Sequence, residues 1–155
     1  MKKGLLYLLL ITVSFSASGK TLEDIISEFS KAPRAENVNL RKFIFSSLTI
    51  ANWGNKDFNK KISSMSVLDL ESCSRDTKLQ FAKQIENLEI EGYEVLMKVK
   101  DDDDNVLIMS KSKKGKVKEL VIITINDPTI IRLKGDFTLN DLADVKKEYR
   151  GTKRN

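Results

Sequence analysis

The sequence predicts an α+β fold, a mainly antiparallel sheet with a C-terminal four-strand meander packed by about four helices. Apolar residues recur at helical spacing in the first half of the chain, and from Tyr93 the spacing changes to the alternation of a strand. Short polar turns separate the later strands, and strands joined by such turns pair antiparallel. We expect a leader over residues 1–19, a single domain over 20–150 and a basic tail over 151–155.

The leader has the three-part pattern of a secretory signal peptide. Lys2 and Lys3 precede the apolar run LLYLLLITV, and mostly small residues follow up to Gly19. Cleavage is expected after Gly19 or after Ser18. The apolar run is shorter than the ~20 residues of a membrane-spanning helix. The pattern therefore predicts export to the periplasm or the extracellular space, with no transmembrane segment after cleavage.

Helices and short strands are expected to alternate in the first half of the domain. Thr21 and Asp24 form the capping pattern of a helix start, and Pro33 lies beyond the end of that helix. Apolar stripes at one-face spacing predict two more helices, the second of which includes Leu79 and Leu88 in its stripe. In chain order we expect a helix from residue 22, a strand over 37–40, a helix over 41–52, a strand over 62–70 and a helix over 75–88.

Four strands and a last helix are expected in the second half. Gly115 provides the positive φ of a tight turn between the second and third of these strands. Thr138 and Asp141 repeat the capping pattern and start the last helix. The expected strands cover 93–100, 106–109, 116–125 and 129–133. In the first of them the apolar residues at alternate positions are expected to share one face: Tyr93, Val95, Met97 and Val99.

The centres of the later strands are apolar on both faces. VLIM over 106–109 and LVII over 120–123 do not alternate, whereas a sheet with one face in water alternates apolar and polar residues. Large exposed apolar patches are rare on monomers, so both faces are expected to be covered. The candidates for the cover are the chain's own helices, a partner subunit and an apolar ligand.

The composition argues against an enzyme. Without histidine the chain has no Ser-His or Cys-His nucleophile system and no imidazole metal site. With one cysteine it has no internal disulfide and no thiolate metal cluster, and no GxSxG, HExxH, GxGxxG or phosphate-loop pattern occurs. We therefore expect no catalytic residues, no metal and no cofactor. Cys73 is expected to be either a buried apolar residue or the site of an intermolecular disulfide.

Two charged stretches flank the expected strand over 106–109. The acidic run 101–104 is expected to be a solvated turn, because Val106 and Ser112 stand where a calcium loop of the helix-loop-helix kind needs Gly and Glu. The basic cluster over residues 111–118 has no interleaved aromatic residues, so nucleic acid is not an expected partner. The cluster is expected either to confer solubility and protect the strand edge or to contact an anionic lipid head group or an acidic glycan. Trp53 is expected either to close the core or to be an exposed ring that stacks on a sugar. The possible partner surface comprises Lys111, Lys113, Lys114, Lys116, Lys118 and Trp53.

Three segments carry a resemblance to a known family. They are Gly92-Tyr93-Glu94 with LMKVK over 96–100, Lys118-Glu119-Leu120, and Leu133-Lys134-Gly135 followed by Leu139 and the pair Asp141-Leu142. These segments and the order of elements resemble a family of small exported Bacteroidota proteins, the domain of unknown function 4252. The resemblance implies a Gram-negative periplasmic or surface-exposed setting. No catalytic or binding residues carry over from it, and it leaves the activity open.

The sequence thus predicts an exported, non-enzymatic interaction module of the bacterial cell envelope. Its support is the missing histidine, the lack of a catalytic motif and the strands that are apolar on both faces. The expected partner is another envelope protein or a second copy of the chain. The alternative is a carrier or sensor of an apolar or anionic envelope ligand.

Overall fold

The computed structural model describes residues 19–41, 60–86, 88–100, 105–138, 140–141 and 143. These ranges contain two helices and six strands. The helices are α1 (Leu22–Phe29) and α2 (Arg75–Glu86). The strands are β1 (Glu36–Arg41), β2 (Ile62–Asp69), β3 (Glu94–Lys100), β4 (Asn105–Lys113), β5 (Lys116–Thr124) and β6 (Thr129–Phe137).

All six strands form one antiparallel sheet in the order β1-β2-β6-β5-β4-β3. The last four strands are neighbours in chain order, and β2 pairs with β6 so that β1 and β2 continue the sheet beyond it. The sheet therefore extends beyond the predicted four-strand meander, because β1 and β2 bring it to six strands. The pairing of β2 with β6 joins segments far apart in sequence, so local periodicity did not predict it.

Of the about four predicted helices, two lie wholly within the described residues, and the described residues 140, 141 and 143 of the predicted last helix are also helical. The capping box of α1 is present: the Thr21 hydroxyl accepts from the Asp24 N–H at 3.1 Å, and the Asp24 carboxylate accepts from the Thr21 N–H at 2.9 Å. Helix α2 ends at Glu86, and Leu79 in its predicted apolar stripe is 51% exposed, so that assignment was wrong. The helix predicted over 41–52 lies outside the described residues after Arg41, which belongs to β1.

Helices α1 and α2 contribute to the core on one face of the sheet, here called the helix-side face. Phe29 of α1 and Phe81 of α2 meet edge to face, with ring centroids 5.2 Å apart. Cys73 is a free, buried thiol in this core, and burial raises its pKa. The expectation of a buried apolar cysteine is therefore confirmed.

The opposite face of the sheet carries a second apolar core. Every member of this core is at most 6% exposed: Ile62, Val106, Ile108, Val117, Leu120, Ile122, Leu133 and Phe137. This burial exists within the single chain. Neither a partner subunit nor an apolar ligand is needed to remove these side chains from water, so two of the three expected covers are unnecessary for them.

A β-bulge in β3 overturns the face predicted for its apolar residues. Val95 pairs with Met109 on the helix-side face, but the register shifts before Met97, which pairs with Ile108. A bulge adds one residue to a strand, so the residues that follow it change faces. The prediction that Val95 shares a face with Met97 and Val99 was wrong for this reason.

The hairpin between β4 and β5 turns through Lys114 and Gly115, both with positive φ, 53° and 73°. Two consecutive residues with positive φ are typical of the tightest hairpin turns, and glycine adopts that conformation without steric cost. The predicted role of Gly115 is confirmed. The turn brings Lys113 and Lys116 into register at the end of the hairpin.

Among the residues that the structure describes, no helix is long and apolar enough to cross a membrane.

Candidate functional site

Arg132 of β6 is at the centre of a charged cluster on the helix-side face. Its Nε donates to Oε1 of Glu119 at 2.5 Å, and its Nη2 donates to Oε1 of Glu23 in α1. The Tyr93 hydroxyl donates to the same Glu119 oxygen, also at 2.5 Å, and Nζ of Lys111 lies 5.3 Å from the centre of the Tyr93 ring. We call Arg132, Glu119, Glu23, Tyr93 and Lys111 the Arg132 cluster.

Register explains why these residues meet. Arg132 pairs with Val121 across β5 and β6, and Glu119 lies two residues before Val121 on the same face. Lys111 of β4 pairs with Glu119 from the other side. The antiparallel sheet thus places a cation on each neighbouring strand of Glu119, whose side chain is 9% exposed. The ion pair with Arg132 offsets the cost of burying that carboxylate.

Electrostatics fix the protonation states in the Arg132 cluster. Burial raises the pKa of Tyr93, and the hydrogen bond to the Glu119 carboxylate raises it further. Burial alone would lower the pKa of Arg132, but Glu119 and Glu23 raise it above its ordinary value. Partial burial works to raise the pKa of Glu23. The hydrogen bond from Arg132 outweighs the effect of burial, so the pKa of Glu23 is lower than its ordinary value. The phenol of Tyr93 therefore stays neutral, and Arg132 and Glu23 stay charged, near neutral pH.

Beside the Arg132 cluster lies a groove of about 800 Å³, here called the α1 groove. The start of α1 and residues 88–93 bound it, together with Val95 and the buried Met109. Val95 is 51% exposed, although it is apolar. The residues that line the α1 groove are Gly19, Lys20, Thr21, Glu23, Leu88, Glu89, Ile90, Glu91, Gly92, Tyr93, Val95, Met109 and Lys111.

A second cavity, of about 410 Å³, lies over β1, β2 and β6 and is here called the β2 cavity. Arg132 lines this cavity, and its partner Glu23 lines the α1 groove. The Arg132–Glu23 ion pair therefore links the two concavities. The lining residues of the β2 cavity are Asn39, Leu40, Ser64, Met65, Ser66, Arg132 and Lys134.

The lysines predicted as a partner surface lie along the β4–β5 hairpin and have different environments. Lys111 contacts the Tyr93 ring and lines the α1 groove, and Lys118 forms an ion pair with Asp136. Lys113, Lys114 and Lys116 are exposed at the hairpin end, and none of the three forms a salt bridge within the part of the chain that the structure describes. Trp53 lies outside the described residues.

The sequence analysis did not single out Arg132, Glu119 or Glu23. A signal existed, because Glu119 directly precedes the apolar run LVII and Arg132 directly follows Ile130 and Ile131. Charged residues next to a two-sided apolar strand are expected to be paired. Their register was not visible in the sequence, because bulges shift the β4–β5 and β5–β6 pairings near these positions.

Another ion pair, between Lys61 and Asp141, lies beside the start of β2 and the end of β6. Nζ of Lys61 contacts both carboxylate oxygens of Asp141, at 2.7 and 2.8 Å, and the N–H of Thr138 donates to Asp141 at 2.6 Å. Burial works to raise the pKa of Asp141, but Lys61 and Thr138 lower it from 3.8 to about 2. The predicted capping pair of Thr138 and Asp141 is confirmed, and it joins the segment before β2 to the segment after β6.

Within the described ranges, no three His, Cys, Asp or Glu side chains gather as a metal site would require. The acidic run 101–104, expected to be a solvated turn, lies outside the described residues.

The family described as Domain of unknown function (DUF4252) matches residues 29–145. The chain belongs to this family. The DUF4252 match runs from the end of α1 through all six strands, so it includes Tyr93, Glu119 and Arg132 and begins beyond Glu23. The resemblance stated from the sequence is confirmed for the family. The comparisons with curated proteins and with solved structures gave no match.

Proposed function

We propose that this DUF4252 protein is an exported, non-enzymatic interaction module of the bacterial envelope, which binds a segment of another envelope protein in the α1 groove. The observation that carries the proposal is the groove itself: an exposed apolar side chain, Val95, lies in a concavity that charged side chains of both signs also line. Hydrophobic contact flanked by polar groups is the usual composition of a protein interface.

The bonding in the Arg132 cluster supports a binding role over catalysis. A general acid or base works best when its pKa lies near the working pH. The phenol of Tyr93 has a raised pKa and donates its proton to Glu119, and the Glu119 carboxylate also accepts from Arg132. These bonds hold the wall of the α1 groove in one geometry, which lowers the entropic cost of binding a partner.

The lining of the groove favours a polypeptide over an apolar ligand. An apolar ligand is normally enclosed by a mostly apolar cavity. Here Lys20, Lys111, Glu89 and Glu91 supply charges of both signs around Val95. The second sheet face, for which an apolar ligand was one of three candidate covers, is buried within the chain. Both observations favour a protein segment that presents an apolar side chain between charged residues.

The signal-peptide pattern of residues 1–19 supports export. Nζ of Lys20 donates to Glu28 at 2.6 Å and to Gln84 at 3.0 Å, which ties the residue after the proposed leader to both α1 and α2. Cleavage after Gly19 would leave these contacts intact. A Gram-negative, Bacteroidota setting is part of the same proposal.

Position-specific photo-crosslinking in the expressing cell tests the binding role. A photoreactive amino acid is placed at position 95 or, as the matched control, at position 79, since Val95 and Leu79 are equally exposed at 51%. We expect a protein adduct from position 95 and a much weaker one from position 79. The adduct at position 95 should disappear when Lys111, on the same groove, is changed to Glu.

Four outcomes would contradict the proposal. Equal adducts at both positions would mean random collision, and no adduct at position 95 would mean that the groove has no partner. An adduct of lipid mass at position 95 would favour the alternative function, a carrier or sensor of an envelope ligand. An adduct with twice the mass of the chain would identify the partner as a second copy.

A further inference from the structure

The strands β1, β2 and β6 carry a polar patch on the helix-side face. Asn39, Ser66 and Arg132 are consecutive register partners across the three strands, and Ser64 pairs with Lys134 in the next row. The neighbouring positions Leu40, Met65 and Leu133 form an apolar row of register partners. These strands therefore alternate apolar and polar residues, as expected where one face meets water.

The polar patch is concave and lined by cationic and hydrogen-bonding side chains. The β2 cavity over it contains Arg132 and Lys134, and no carboxylate is among its lining residues. Arg132 is 14% exposed and held in place by Glu119 and Glu23, so its guanidinium is preorganised. Lys134 is exposed and forms no salt bridge within the described part of the chain.

Several hydrogen-bond donors that line this cavity have no acceptor among the described residues. The hydrogen bonds of Arg132 use Nε and Nη2, which leaves both N–H groups of Nη1 available there. The hydroxyls of Ser64 and Ser66 and the amide of Asn39 likewise have no hydrogen-bond partner among those residues. Convergent donors around a fixed guanidinium and an ammonium suit a tetrahedral oxyanion, which offers several acceptor oxygens.

We propose that the β2 cavity binds a phosphate group, through Arg132, Lys134 and the hydroxyls of Ser64 and Ser66. The phosphate is either free in solution or part of a lipid head group, and both sources present the same oxygens to these donors. The β2 cavity shares no lining residue with the α1 groove, and the variants below change no residue of that groove, so the two proposals are tested separately.

Binding of inorganic phosphate by the protein, purified in the form that accumulates in the cell, tests the site. Isothermal titration is carried out on the parent chain, on Lys134→Gln and on the double variant Ser64→Ala, Ser66→Ala. Lys113→Gln is the matched control, since it removes the same charge from an exposed lysine at the hairpin end. Circular dichroism and thermal unfolding confirm that each variant folds.

We expect the parent chain and Lys113→Gln to bind phosphate equally. Lys134→Gln and the double serine variant should each bind about tenfold more weakly, because each loses charge-assisted hydrogen bonds. Phosphatidylcholine vesicles with and without phosphatidic acid then identify the source. Binding only to those that contain phosphatidic acid, lost in Lys134→Gln, indicates a lipid head group, and binding of free phosphate alone indicates a soluble ligand.

Two results would overturn the proposal. The first is a parent chain that binds neither phosphate nor the phosphatidic acid vesicles. The second is an equal loss in Lys113→Gln and Lys134→Gln, because attraction to net positive charge would then explain the binding without a site.

Discussion

Arg132 bonds to two carboxylates from different elements, Glu119 of β5 and Glu23 of α1. The two contacts differ in energy because their surroundings differ. Glu119 is 9% exposed and has lost most of its water, whereas Glu23 is 63% exposed and remains solvated. A buried carboxylate depends on its partner far more than a solvated one does. We therefore assign the structural role of Arg132 to its bond with Glu119.

Removing Arg132 should destabilise the fold strongly. Arg132→Leu leaves the Glu119 carboxylate buried with the Tyr93 hydroxyl as its one remaining hydrogen-bonding partner among the described residues, and we expect a loss of about 3–5 kcal/mol in the free energy of unfolding. Combining it with Glu119→Leu removes the charge as well and should recover most of that loss. Urea denaturation of both variants measures the two values.

The exposed pair Lys118–Asp136 provides the control for this prediction. Lys118→Gln should change the free energy of unfolding by about 1 kcal/mol or less, because exposed ion pairs contribute little. A loss from Arg132→Leu no larger than that of Lys118→Gln, or a double variant as unstable as Arg132→Leu, would show that Glu119 does not depend on Arg132.

At the scale of elements, the sequence predicted the helix caps and most strand positions. The α1 capping box and the Thr138–Asp141 pair follow from short-range hydrogen bonds, which a local pattern encodes. Strand faces were less predictable. The bulge between Val95 and Met97 depends on the pairing with β4, and no property of the β3 sequence alone marks it.

Gly135 of β6 is a constraint that sequence alone did not reveal. A Cβ there would overlap the carbonyl oxygen of Lys61 and lie 2.8 Å from the Phe137 ring. Gly135→Ala should therefore lower the free energy of unfolding by about 2–3 kcal/mol through overpacking. Urea denaturation of Gly135→Ala and of the parent chain measures this difference in the free energy of unfolding.

Gly115→Ala is the comparison for Gly135→Ala. A Cβ at Gly115 meets nothing within 4 Å, and the positive φ of 73° is the only source of strain. Its expected cost is about 1 kcal/mol. If Gly135→Ala cost no more than Gly115→Ala, the approach of Lys61 to β6 would not constrain the sheet.

At the scale of the whole molecule, the sheet order required the structure. Antiparallel pairing of β3 to β6 follows from short connections, whereas the position of β1 and β2 beside β6 depends on contacts between distant segments. The candidate site likewise depends on contacts between segments that are distant in sequence. The hairpin lysines were visible as a cluster, but the Arg132 cluster assembles residues from α1, β4, β5, β6 and the segment before β3.

The central claim is that this folded domain acts outside the cytoplasm as a binding module. The most direct test is the intact mass of the chain recovered from each fraction of an expressing Gram-negative cell. We predict a species in the periplasmic or extracellular fraction that begins at Lys20, or at Gly19 if cleavage follows Ser18. Replacing Leu8 and Leu9 with Arg in the apolar run should abolish that species. An unprocessed chain that begins at Met1 and accumulates in the cytoplasm would contradict the claim.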